Sequence, residues 1–87
     1  MGIEGKTVCV IGEFDSQPRD EIAFGLYDIG AEVVKKIGKN VDLVIAGRDA
    51  GKRLEEAKAL GLPIVGEDAI DPIFDDQPWG TILAMKR

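Results

Sequence analysis

"DLVIAGRDAGKRLEEAKALGLPIV", residues 42–65, runs from an apolar segment through a glycine-bounded loop into a charged stretch and out into a second apolar segment. The run "VDLVIA", 41–46, is nearly continuous in β-branched and aliphatic residues and closes at Gly47, the pattern of a strand covered on both faces. From Gly51 to Leu60 the period changes: Leu54, Ala57 and Leu60 recur every three positions, acidic and basic residues alternate around them, and Gly61 stands where a helix ends. "LPIVG", 62–66, is then a short apolar strand entered through Pro63. Strand, helix and strand in this order suit a parallel sheet whose strands are joined by a helical crossover.

The rest of the chain reads in the same way. "TVCVI", 7–11, is a second buried-strand pattern, closed by Gly12. "PRDEIAFGLYDIG", 18–30, begins with proline, carries Asp20 and Glu21 near its positive end and stops at Gly30. Ile22, Leu26 and Ile29 share one face of that helix, with Ala23 beside them. "AEVVKK", 31–36, reads as an edge strand blunted by lysine. "EDAIDPIF", 67–74, reads as a short third helix that Pro72 distorts or ends. The order is β-α-β-β-α-β-α, an α/β domain over residues 1–76. Residues 77–87 form a carboxy-terminal extension whose "TILAM" adds a strand or docks on the core, and Trp79 is expected to fold back onto the domain.

Eighty-seven residues leave room for one small domain, and 45% hydrophobic with 31% charged residues is an ordinary globular composition. The net charge of −5 opposes a protein that coats nucleic acid, because such binding rests on clustered cations. A local basic patch stays open. The chain has no histidine and a single cysteine, Cys9, set in an apolar strand as a small hydrophobe. Imidazole catalysis, a thiolate metal cluster and an internal disulfide are thereby excluded. No apolar run approaches the roughly 20 residues that cross a bilayer, and no signal peptide is visible, so no membrane partner and a cytoplasmic location are expected.

The loop from Gly47 to Lys52 comes close to a nucleotide-binding loop and fails on two counts. Three residues separate Gly47 from Gly51 where four are needed, and Arg53 stands where a hydroxyl would hold magnesium. "GEFDSQ" after the first strand lacks dinucleotide-binding glycines. No cofactor is expected, and a small catalytic domain has little support in the residues.

"GKTVCVIG", Arg19 at the opening of the first helix, "GAEV" and above all the 42–65 block are similar to BRCT domains, in particular to the branch at the carboxy end of bacterial NAD-dependent DNA ligases. The resemblance covers Gly5 to about Phe74. It implies a four-stranded parallel sheet in order 2-1-3-4, with the first and third helices on one face and the second on the other. Many members carry a tryptophan in the third helix; that position falls on Ala69 here, with Ile70 filling the pocket. Phosphate-binding members use a hydroxyl residue ending the first strand, the backbone of the next glycine and a basic residue early in the second helix. These positions fall on Ile11, Gly12 and Arg53, so the hydroxyl is missing.

The function implied is a non-catalytic interaction module of DNA replication or repair that docks a protein partner. The alternative is a weak module for DNA backbone or 5′-phosphate, such as the carboxy-terminal domain of a ligase, contacting DNA through Gly12, Arg19, Lys52 and Arg53. Against those residues stand plainer roles: loop geometry for Gly12 and Gly47, and a solvated basic surface for Arg19, Arg48, Lys52 and Arg53.

Overall fold

Alternation along the two central strands decides the architecture. In the computed structural model, which describes residues 2–86, β1 (Thr7–Ile11) and β3 (Leu43–Ala46) lie side by side and parallel, with Val8 opposite Leu43 and Ile11 opposite Ala46. Successive strand side chains point to opposite faces. Val8, Val10, Leu43 and Ile45 therefore enter one apolar layer, and Cys9, Ile11, Val44 and Ala46 enter another.

Each layer is completed by helices. α1 (Arg19–Asp28) adds Ile22 and Leu26 to the first layer, and α3 (Ile70–Phe74) adds Ile70 and Ile73. α2 (Lys52–Ala59) covers the second layer with Ala57 and, less completely, Leu54. β2 (Glu32–Val34) pairs with β1, and β4 (Ile64–Val65) pairs with β3, both parallel. The order is β2-β1-β3-β4, as the resemblance implied.

A single 3-10 turn, Glu67–Ala69, leads into α3. Ala69 is fully buried and Ile70 nearly so, which fills the space under this turn with small aliphatic groups. Pro72 neither ends nor breaks α3, because it occupies the first turn, where its missing N–H has no partner to lose. β2 is shorter than the expected strand: Lys35 and Lys36 fall beyond its end.

The carboxy-terminal stretch is helical, and the strand reading of "TILAM" is corrected. Pro78 caps α4 (Trp79–Ala84) with an extended backbone, after which Trp79, Ile82 and Met85 recur every three residues on one face. Ile82 is fully buried in the first layer, with Trp79 and Met85 packed against it. Trp79 folds back as expected, and the Lys6 ammonium lies 4.9 Å from its ring centroid, a cation–π distance. Met1 and Arg87, the outer ends of the two assigned segments, lie outside the described residues. No helix among the described residues is long and apolar enough to cross a membrane.

Candidate functional site

The loops that follow β1 and β3 are tied together by backbone. The N–H of Glu13 donates to the carbonyl of Arg48 at 2.8 Å, and the N–H of Arg48 returns a bond to Glu13 at 2.7 Å. This approach is close enough that neither loop tolerates a side chain at its glycine. Gly12 has φ +81°, and a Cβ there would sit 2.7 Å from the Arg48 carbonyl oxygen; a Cβ on Gly47 would run into the carbonyl of Glu13. The structural role of both glycines is thus direct.

The loop after β1 is anchored at its other end by Glu67. Its carboxylate accepts the N–H of Ser16 at 2.7 Å and that of Asp15 at 3.3 Å. Ser16, through hydroxyl and backbone, and then the Asp15 N–H hold the Glu67 carboxyl below the usual glutamate range, because each bond favours its charged form. Pro18 and Arg19 follow directly, so this anchor fixes where α1 begins.

The result is a shallow depression of about 450 Å³ lined by Gly12, Glu13, Arg19, Asp49, Ala50 and Arg53. Three of the four expected site residues, Gly12, Arg19 and Arg53, meet here. Lys52 opens the same helix as Arg53 but does not line the depression. Neither Arg19 nor Arg53 forms an ion pair among the described residues, whereas Arg48 is engaged by Asp15 at 2.7 Å. Ile11 is fully buried in the layer under α2 and lines no part of the depression. It therefore leaves the candidate pocket without its side chain altogether.

Sequence reasoning did not register Glu13 and Asp49 as part of the same surface. Both are exposed and set two carboxylates against the two guanidiniums. Arg19 and Arg53 also border a groove of about 330 Å³ toward β2, lined by Val10, Asp20, Ala23, Tyr27, Val33, Val34 and Lys35. Chemically, the arrangement offers charge-assisted donors to an anion at a place whose local charge is balanced. None of the residues that line the depression carries a thiol or a hydroxyl. Cys9, the one thiol, is buried; loss of solvent pushes its pKa up, opposed by the positive charge of Arg53.

The profile of the BRCA1 C Terminus (BRCT) domain matches residues 3–71, most of the chain. The chain belongs to the BRCT family. A DNA ligase of Latilactobacillus sakei subsp. sakei (strain 23K) is 42% identical over 67 residues, which are 77% of this chain and 10% of that ligase. The BRCT chain thus spans about a tenth of the length of the curated relative it matches. Among solved structures, S. pombe Rad4 BRCT3,4 superposes with a TM-score of 0.76 at 13% identity, over 98% of this chain and 48% of that one. Rad4 BRCT1,2 in complex with a Crb2 phosphopeptide gives 0.71 at 22% identity, over 97% and 50%. At those identities the likeness is one of fold, and it agrees with the sheet order and the two-sided helix cover of this BRCT domain.

Proposed function

We infer that this BRCT domain is a non-catalytic docking module of DNA replication or repair that binds a protein partner in the cytoplasm. The observation that carries this reading is the match to a DNA ligase over about a tenth of that ligase's length, together with the match of the BRCT family to residues 3–71. The docking unit comprises residues 1–76, with 77–87 as an extension. Burial of Ile82 supports an extension held on the unit rather than trailing from it. The test is turnover by the purified chain. Incubated with NAD or ATP, magnesium and nicked duplex, it is expected to seal nothing and hydrolyse nothing, and turnover that follows the pure domain would overturn the reading.

A second reading has one specific observation in its favour: Gly12, Arg19 and Arg53 converge on one depression. Arg53, beside the backbone N–H groups that open α2, offers a phosphate a bidentate contact and a positive helix end. The carboxylates of Glu13 and Asp49 oppose it, so the site suits a DNA 5′-phosphate only weakly. Loss of salt-sensitive binding to a nicked duplex on Arg53→Glu is the expected signature.

A further inference from the structure

α1 turns two large aromatic side chains to solvent. Ile22 and Leu26 fill the core, while Phe24 remains 71% exposed and Tyr27 55%. Residues three and four apart are neighbours on a helix surface. For Phe24 these neighbours are Asp20, Glu21, Tyr27 and Asp28: three carboxylates and a second ring. All three carboxylates are exposed, and none is in an ion pair among the described residues. The last turn of the helix carries no basic residue. The basic groups near α1, Arg19, Lys35 and Arg53, border the groove toward β2, which Asp20 and Tyr27 line as well. Glu21 and Asp28 lie outside that groove, and the Tyr27 hydroxyl donates to the Val33 carbonyl at 3.2 Å.

We propose that the α1 face centred on Phe24 docks a basic segment of a partner protein that carries an aliphatic anchor. The anchor packs on the Phe24 and Tyr27 rings, and lysine or arginine side chains pair with Asp20, Glu21 and Asp28. Two adjacent exposed rings offer a partner an apolar patch to cover, and the three carboxylates beside Phe24 set the sign of that partner. A second copy of this chain is disfavoured, because its α1 would bring the same three carboxylates against these three. Nucleic acid is repelled for the same reason. This inference rests on the docking reading and gives it a partner chemistry; Phe24 lines no part of the depression at Arg19 and Arg53, so the two surfaces are separable.

The experiment uses two synthetic amphipathic helices with the same leucine pattern, one with lysine and one with glutamate on the polar face. Each is titrated into the 87-residue chain and followed by backbone amide shifts at low and high salt. The leucine–lysine helix is expected to bind, with shifts along α1. Phe24→Ser, a change at an exposed position that leaves the fold intact, lowers its affinity about tenfold or more, the scale of a contact anchor. Replacing Asp20, Glu21 and Asp28 together by their amides removes the salt dependence. The leucine–glutamate helix is expected not to bind. Equal binding of both helices, no binding of either, undiminished affinity in Phe24→Ser, or self-association of the chain that Phe24→Ser abolishes would each overturn the assignment. None of these outcomes touches the docking reading itself, which fails by turnover or by tight, salt-sensitive DNA binding.

Discussion

Glu13 and Arg48 exchange both of their backbone hydrogen bonds, at 2.8 and 2.7 Å, and so join the loops that leave the two central strands. Everything at the candidate site hangs from this pairing. Gly12 and Glu13 on one loop and Asp49 and Ala50 on the other line a single depression because the two loops are held at backbone contact distance.

Gly47→Ala is therefore expected to destabilise the fold by about 1–3 kcal/mol, the usual cost of forcing extra atoms into a filled space. The added Cβ collides with the Glu13 carbonyl, which has no room to retreat without breaking its bond to Arg48. Urea unfolding of the two proteins measures the loss; an unchanged midpoint would show that the loops are not clamped.

Arg53→Glu probes the depression without disturbing the core, since an exposed substitution usually moves stability by no more than about 0.5 kcal/mol. Any affinity of the native chain for a phosphate-terminated duplex is expected to be micromolar or weaker, about −8 kcal/mol or less favourable, and to vanish in this variant. Fluorescence anisotropy with a labelled 5′-phosphorylated nick reads both values, and equal affinity of the two proteins removes the phosphate reading.

Glu67 gives the fold a defined acid sensitivity. Its carboxyl is held below the ordinary glutamate range in the folded chain by Ser16 and Asp15, so its contribution is complete above the unfolded value and is lost as pH falls through the folded one. The melting temperatures of the native chain and Glu67→Gln are expected to differ near neutrality and to converge on acidification below that range. A difference that stays constant across the same range would show that the anchor does not depend on the charge.

Ile82→Ala tests whether α4 is part of the folded unit. Ile82 is fully buried in the layer beneath α1 and α3, and truncating such a side chain costs about 2–5 kcal/mol. A chain that melts as before, by circular dichroism, would mean that the extension contributes nothing to stability.

How much of this was legible in the sequence follows from the range of the interactions involved. β1, β3 and α2 were readable because their signals are local: the continuous apolar runs Val8–Ile11 and Leu43–Ala46 suit strands covered on both faces, and the spacing of three from Leu54 to Ala57 suits a helix covered on one, although Leu60, three further on, stays exposed. The helix at Trp79–Ala84 was missed because six residues carry too little period to separate helix from strand, and burial of Ile82 decides it from outside. At the site, the meeting of Gly12, Arg19 and Arg53 was anticipated, but its charge was not. Whether Glu13, Arg48, Asp49 or Lys52 faces the depression depends on the long-range pairing of two loops, and no local pattern encodes that. Phe24 was overlooked for a simpler reason: it lies off the Ile22–Leu26 face, and its neighbours three and four residues away were in plain view.

The docking account is tested most directly by titrating a 5′-phosphorylated nicked duplex into the 87-residue chain at two salt concentrations, with NAD and magnesium present, following both binding and sealed product. It predicts no sealed product and a dissociation constant in the micromolar range or weaker, consistent with a net charge of −5 and a depression whose two arginines face two carboxylates. Sealed product, or nanomolar binding that falls steeply as salt rises, would contradict it and make this BRCT domain a catalytic or DNA-holding unit in its own right.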